Sequence, residues 1–295
     1  MTSSTSTSNS TRVLVLGASG MLGNAMLRFF ADSKGFDVVG SARSSGAVSR
    51  LRPDLQARVR TNVDVENPDV LARLLDQERP DVVVNCIGLV KQLAQANDPL
   101  TALPINAMFP HRISRLCSLV GARFVHVSTD CVFDGKRGGY REDDKPDAYD
   151  LYGRSKLLGE VTEHAHAITL RTSIIGTELG SAHGLVGWFL AQKAAVRGFS
   201  RAVFSGVPTV ELARIVRDHV IPHPGLHGLY QVSAAPIDKF SLLSLVGKSY
   251  DHPISITPDD SLVIDRSLDS TRFRAATGYQ PPSWPELVQR MRDFG

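Results

Sequence analysis

Tyr152 and Lys156 stand four residues apart in the stretch DAYDLYGRSKLLGE, residues 147–160, which reads as the opening of a helix. Side chains at i and i+4 share one helix face. A free phenol titrates near ~10, too high for an efficient base and somewhat weak as an acid at neutral pH. A neighbouring ammonium stabilises the phenolate and brings the group towards the working range. The same amine can hold the ribose of a nicotinamide. A ketone undergoing reduction also needs a second hydrogen-bond donor on its oxygen, and the run STD offers Ser128 and Thr129. A tyrosine and a lysine at this spacing also occur as a plain surface pair, so the pattern has to be weighed with the elements around it.

Gly17, Gly20 and Gly23 form G-x-x-G-x-x-G between an apolar run and an amphipathic one. A pyrophosphate rests on a helix N-terminus only where no Cβ intervenes, and the exposed N–H groups and helix dipole favour the anion. Three glycines in a turn can also be structural; the strand–glycines–helix–strand context favours the nucleotide. The second strand ends VVGSARSS, with no acid at its tip. An acid there would take ribose hydroxyls, whereas a cation suits a 2′-phosphate. Arg43 is that cation, with its planar fork, and the cofactor expected is NADPH; an ordinary surface arginine is the alternative. Asp64 either meets the adenine amine or caps a helix.

These groups require a scaffold that delivers them to one edge. Apolar runs at 12–20, 36–43, 81–88, 122–130 and 168–176 alternate with helical patterns at 21–33, 67–80, 104–121 and 152–167. That order predicts an α/β fold: a Rossmann-type doubly wound parallel sheet covered on both faces. Ligands bind outside the carboxyl ends of such strands. Beyond 176 proline and glycine become frequent, and helices are predicted near 185–197, 208–220 and 238–250. The predicted organisation is a disordered polar tail over 1–11, a cofactor domain over 12–176, and a smaller mixed α/β substrate lobe over 177–295, with about 200–235 returning to the first domain.

The chain has 295 residues, 42% of them hydrophobic, and a formal net charge of +3. A balance so near zero leaves no electrostatic footprint for nucleic acid. No run of 18 apolar residues predicts a membrane span, and the polar N-terminus lacks a secretory h-region. Cys86, Cys117 and Cys131 show neither disulfide-scaffold nor zinc spacing, so a reduced cytoplasmic compartment is the simplest reading. The pairs His164/His166 and His223/His227 lack a matching carboxylate or cysteine, and no metal is expected. Arg266, Arg272 and Arg274 suit either a diphosphate or a salt-bridged surface.

Taken together, VLGASGMLG (15–23), STDCVFDG (128–135), YGRSKLLGE (152–160), LRTSIIG (170–176) and GVPTVELARIV (206–216) resemble the extended short-chain dehydrogenase/reductases, and within them the dTDP-4-dehydrorhamnose reductase branch. The resemblance spans roughly 12–290 and is stronger up to about 176. It implies an NADPH-dependent reduction of the 4-keto group of a nucleotide-activated deoxysugar. The oligomeric state is left open by the sequence, a homodimer being one option. By that resemblance Thr129 holds the substrate carbonyl, Tyr152 donates the proton and Lys156 is its partner. The implied cofactor set is Gly17, Ser19, Gly20, Met21, Leu22, Arg43, Asp64, Val65, Cys86, Ile87 and Gly88, with Tyr152 and Lys156. Asn106 matches an asparagine kept behind the site. The implied substrate contacts are Lys91, Thr129, Asp130, Cys131, Tyr152 and Trp188; for Lys91 and Trp188 a solvated lysine and a core aromatic are the alternatives.

Two departures bear on the sugar. Cys131 stands where rhamnose reductases have tyrosine, and Ile174 and Ile175 follow RTS where an aromatic residue often occurs. The same triad also serves epimerases and dehydratases that recycle bound NAD; dehydratases add an acid beside the strand-tip threonine, and Asp130 and Asp134 follow it here. A non-catalytic NADP-binding regulatory subunit is the alternative of a different kind.

Overall fold

The computed structural model describes residues 10–91 and 94–295. The strands are β1 Thr11–Leu16, β2 Phe36–Ser41, β3 Val59–Arg60, β4 Val82–Asn85, β5 Arg123–Thr129, β6 Ala167–Thr172, β7 Ile174–Ile175, β8 Val196–Phe199, β9 Ala202–Phe204, β10 Val207–Pro208, β11 Gly228–Gln231, β12 Ile237–Asp238, β13 Ile256–Asp259 and β14 Ile264–Asp265. The helices are α1 Met21–Ala31, α2 Ser45–Val48, α3 Pro53–Gln56, α4 Pro68–Glu78, α5 Pro99–Ala102, α6 Phe109–Val120, α7 Leu151–Leu158, α8 Leu185–Leu190, α9 Thr209–Ile215, α10 Lys239–Ser249, α11 Thr271–Thr277 and α12 Trp284–Phe294.

Seven strands form one parallel sheet in the order β11-β6-β5-β4-β1-β2-β3. The sequence order reverses at β1/β4, so the crevice of a doubly wound sheet opens between their carboxyl ends. Both faces are covered, which is why runs such as Val13–Leu16 and Val82–Val84 are apolar on successive positions. Successive side chains point to opposite faces. Val13, Val15, Val82, Val84 and Val125 pack with Met26, Leu27 and Phe30 of α1. Leu14, Leu16, Val83 and Phe124 pack with Leu71, Leu74, Leu75 and Ile113 of α4 and α6.

Local chemistry sets the helix limits. Asn67 caps α4, its side chain accepting from Asp69 N (3.0 Å) and Val70 N (3.3 Å); Asp64 therefore does not cap it. Asp150 caps α7 by accepting from Gly153 N at 2.7 Å. A π-turn over Leu103–Met108 leads into α6, where Pro110 is the second residue. Pro110 has no N–H to return to the carbonyl of Asn106. Against that carbonyl runs Gly159, where a Cβ would lie 2.0 Å from Asn106 O.

Several expected boundaries move. The helix predicted over 152–167 ends at Leu158, because Gly159 passes the Asn106 carbonyl and Thr162 to His166 form a connection to β6. The helix expected over 185–197 is α8 alone; Val196–Phe199 is strand β8, paired in parallel with β13. Of the tail predicted over 1–11, residues 1–9 lie outside the described residues, and Thr11 already pairs with Phe36 in the sheet. Within 200–235, β11 joins the main sheet beside β6 and α9 packs on α1, but β9 belongs to the three-stranded lobe sheet β12-β9-β14. Val203 and Phe204 of β9 and Ile264 of β14 line a cleft together with residues at the carboxyl ends of β4 and β5. No helix among the described residues is long and apolar enough to cross a membrane.

Candidate active site

A cleft of about 590 Å³ opens between the carboxyl edge of the sheet and the lobe. Its first wall is the turn between β1 and α1. Gly17 takes a positive φ of 83°, and a Cβ there would come 2.8 Å from Ile87 Cγ1. At Gly23 a Cβ would lie 2.0 Å from Gly17 O, so the helix can start this close to the turn only with glycine. Gly20 is the N-cap residue, offers no side-chain cap, and no acidic residue sits in the first turn. The helix therefore presents uncapped N–H groups and the positive end of its dipole to the cleft, lined there by Gly20, Met21 and Leu22.

The second wall comes from β4. Asn85 is fully buried; its Oδ1 accepts from Ile87 N (3.0 Å) and its Nδ2 donates to His126 Nδ1 (3.1 Å). This shapes the run Cys86, Ile87, Gly88, all three of which line the cleft. Burial, with Lys156 nearby, holds His126 well below the usual histidine range, so the ring is neutral. Asn106, 1% exposed, clamps the next residues: Oδ1 accepts from Leu89 N (2.9 Å), and Nδ2 donates to Leu89 O (3.2 Å) and Ser155 Oγ (3.1 Å).

Thr129, Tyr152 and Lys156 meet in this cleft. Thr129 Oγ1 donates to Asp130 Oδ1 (3.2 Å) and accepts from Cys131 N (3.1 Å). Ser128 also reaches the cleft wall, but its hydroxyl donates away from it, to Glu160 Oε1 at 2.7 Å. Alternation along β5 thus separates the two hydroxyls that the sequence offered together. α7 presses on the strand tip through Gly153, where a Cβ would meet Cys131 O at 2.2 Å.

The titration of the pair differs from the expectation of a lysine-sharpened phenol. Burial raises the Tyr152 phenol, the neighbouring Cys131, Asp130 and Asp150 add to this, and a hydrogen bond from Thr129 opposes it. Tyr152 therefore holds its proton at neutral pH. Lys156 Nζ donates to Val127 O (2.9 Å), and burial lowers the amine to about 8 against the pull of Glu160 and Cys86.

The far wall is the lobe, with Val203, Phe204, Leu262, Ile264, Lys239 and Arg266. Arg266 Nε donates to Phe133 O at 2.8 Å. Burial lowers the Lys239 amine, with Asp130 opposing; burial raises the Asp130 carboxyl, with Arg266 opposing. Burial and Asp130 push the Cys131 thiol up to about 12. Arg266 is already a candidate diphosphate cation in the sequence; the other lobe residues carry no motif and lie far along the chain from the triad, and only the return of β9, α10 and β14 brings them to the cleft.

Other expected contacts sit elsewhere. Gly17 shapes the turn without reaching the cleft wall, and Ser19 lies beside it half-buried. Arg43 and Asp64 are exposed past β2 and β3, Val65 is half-buried, and all three lie outside the wall of the cleft. Asp64 Oδ1 accepts from Glu66 N (3.0 Å), closing a local turn. Lys91 stands at the rim, its amine donating to Asp150 Oδ2 at 2.6 Å. Trp188 is on α8 at 38% exposure and outside the cleft; helical periodicity turns Val186 and Phe189 inward instead. Among the described residues no cluster of His, Cys, Asp and Glu is arranged to hold a metal ion.

The chain has relatives among known proteins. A probable low-salt glycan biosynthesis reductase of Haloferax volcanii is 33% identical over 181 residues, 59% of this chain and 57% of that protein. A dTDP-4-dehydrorhamnose reductase of Mycobacterium tuberculosis is 30% identical over 176 residues, 57% of this chain and 51% of that protein. The matches thus span little more than half the length of these relatives. In three dimensions, the crystal structure of dTDP-4-dehydrorhamnose reductase from Bacillus anthracis in complex with NADP superposes with a TM-score of 0.78 at 22% identity, covering 97% of this chain and all of that one; the likeness establishes the shared fold. The family model described as the RmlD substrate binding domain matches residues 11–195, from the first strand of the sheet to the helix beyond the cleft. The chain belongs to that family, the dTDP-4-dehydrorhamnose reductase-like branch of the short-chain dehydrogenase/reductases.

Proposed function

We propose that this protein uses NADPH to reduce the 4-keto group of a nucleotide-activated deoxysugar. The observation that carries the reading is the convergence of Thr129, a protonated Tyr152 and Lys156 in one cleft with the uncapped N-terminus of α1. The cradle suits a dinucleotide: Gly20 is open where a Cβ would obstruct an anion, and Gly17 and Gly23 allow the close turn behind it. Arg43, exposed past an acid-free strand tip, is the cation available to a 2′-phosphate; Asp64 and Val65 lie at the adenine end. Lys156 holds the ribose on the nicotinamide side, beside Cys86, Ile87 and Gly88.

A bound reduced nicotinamide supplies the hydride. The chain's own residues do the rest. Thr129, oriented by Asp130 and Cys131 N, holds the sugar carbonyl. Tyr152 donates its proton to the oxygen as charge develops there. Tyr152 holds its proton at neutral pH, and the developing alkoxide is a strong enough base to take it although burial makes the phenol a weaker acid than a free one. The lobe's Lys239 and Arg266 offer cations to the diphosphate, and Cys131 with Ile174 and Ile175 shapes the sugar end.

The test is a panel of dTDP-, UDP- and GDP-4-keto-6-deoxyhexoses with purified protein, followed by loss of NADPH absorbance and by NMR of the product. Stoichiometric NADPH consumption with one of them is the expected result. Turnover of a nucleotide sugar without net NADPH consumption would instead assign an epimerase or dehydratase. Binding of NADPH with no reduction anywhere in the panel would defeat the reductase reading.

A further inference from the structure

β4 and β5 carry a buried polar pair that the reaction as described does not use. Asn85 and His126 are register partners in the sheet, and both are fully buried. Asn85 is the last residue of β4. Cys86 N still donates to Leu16 O of β1 at 3.1 Å, but Ile87 N has left the ladder and donates to Asn85 Oδ1 at 3.0 Å. A short side chain that accepts from the N–H two residues on turns the backbone out of the strand.

That bond settles which way the carboxamide faces. The atom meeting Ile87 N–H has to be the oxygen, so Nδ2 is left facing His126 Nδ1 at 3.1 Å. Nδ2 can only donate, so Nδ1 has to accept. The ring is neutral, and a neutral imidazole that accepts at Nδ1 carries its proton on Nε2. Nε2 has no partner among the described residues, so the bond to Asn85 alone selects the tautomer. The turn held in this way packs on both sides of the cleft. A Cβ on Gly17 would lie 2.8 Å from Ile87 Cγ1 and 3.4 Å from Ile87 N, so Ile87 rests directly on the glycine turn. A Cβ on Gly88 would lie 3.8 Å from Lys156 Nζ, so the next residue runs beside the amine.

We infer that His126 is a positioning residue of the dinucleotide site: its Nδ1 accepts from Asn85 and so fixes the carboxamide that holds Cys86, Ile87 and Gly88 as the nicotinamide-side wall. His126 is not itself part of the cleft wall and acts through Asn85. The inference rests on the dinucleotide part of the proposed function. Spacing along the chain does not reveal the pair, since the two residues stand 41 apart and only the pairing of β4 with β5 joins them.

The experiment compares His126→Leu with His126→Asn. The two side chains are close in shape, but asparagine Oδ1 can accept where Nδ1 stood and leucine cannot. NADPH affinity is read from the fluorescence of the bound reduced nicotinamide. Calorimetry reads the affinity for adenosine 2′,5′-bisphosphate, which has the adenosine end of the cofactor and no nicotinamide, and a thermal melt shows that each variant is folded. A turn in place in only about one molecule in ten lowers affinity about tenfold. In His126→Leu, which leaves the Asn85 donor buried and unpaired, NADPH affinity should fall by about that factor. The adenosine fragment should bind within about twofold of the wild type, because its end of the site is untouched. His126→Asn should recover most of the lost NADPH affinity. Nitrogen NMR of the wild-type histidines tests the same contact without a substitution, so it stands even where a variant fails to fold; His126 should be the neutral Nε2–H form. No sugar is needed, so a wild type that binds NADPH yet reduces none of the panel still permits the test; a wild type that binds no NADPH sinks the proposed function first, and this inference with it. Wild-type NADPH affinity in folded His126→Leu, an equal loss for NADPH and the fragment, a folded asparagine variant no better than leucine, or an Nδ1–H ring would each overturn the inference.

Discussion

Alanine at Gly23 and alanine at Gly20 separate the two demands made on the glycine turn. At Gly23 the new Cβ would lie 2.0 Å from Gly17 O, 2.6 Å from Gly17 C and 3.0 Å from Ala18 Cα. All three are backbone atoms, so no rotamer change relieves the clash, and α1 must move off the turn that docks it. Overpacking of this kind typically costs about 1–3 kcal/mol, and backbone contacts place Gly23→Ala at the upper end. For a chain of this size that is a fall in melting temperature of roughly 4–8 °C. At Gly20 a Cβ meets only Gly17 O, at 3.5 Å, an ordinary contact, and its φ of −79° suits alanine. Gly20→Ala should therefore melt within about 2 °C of the wild type. It places a methyl where the anion approaches the helix N-terminus, so its NADPH affinity should fall at least tenfold. Thermal melting and fluorescence titration of the two variants read both quantities. A Gly23→Ala protein that melts like the wild type would refute the close packing of α1 on this turn, and a Gly20→Ala protein with undiminished affinity would refute the placement of a dinucleotide there.

Three further outcomes follow from the site. Tyr152→Phe removes the proton donor and should lower kcat by ~10²–10⁴, with NADPH affinity unchanged in the same titration. For Lys156, the folded protein holds the amine at about 8, below its ordinary 10.5; the ammonium is present below that pH and lost above it. NADPH affinity should therefore be flat below pH 7 and approach a tenfold loss per pH unit above the midpoint, whereas a profile flat to pH 9.5 would show that the amine is not titrating there. Lys239→Ala removes a lobe cation without touching the α1 turn; KM for the nucleotide sugar should rise with NADPH affinity preserved, and an unchanged KM would take Lys239 out of the diphosphate site.

The sequence was enough for what depends on neighbours along the chain. The glycine turn, the Tyr152–Lys156 spacing and the alternation of buried strands with amphipathic helices each follow from local geometry, and the parallel sheet with its cleft at the carboxyl edge follows from their order. Boundaries were less legible where distant backbone intervened. α7 stops at Leu158 because Gly159 must pass the carbonyl of Asn106, and Val196–Phe199 becomes a strand because β13, some sixty residues on, offers it a partner. Side-chain direction was legible only in part. Ser128 and Thr129 are equivalent in a motif, but one hydroxyl turns to Glu160 and the other towards Asp130 and the cleft. The charge state of Tyr152 and Lys156 was decided wholly by tertiary structure, because burial depends on the whole surrounding fold and outweighs the pairwise attraction that spacing suggests. The same holds for Lys239 and Arg266: their types are visible anywhere in a sequence, but only the lobe folding back over the sheet sets them opposite Asp130.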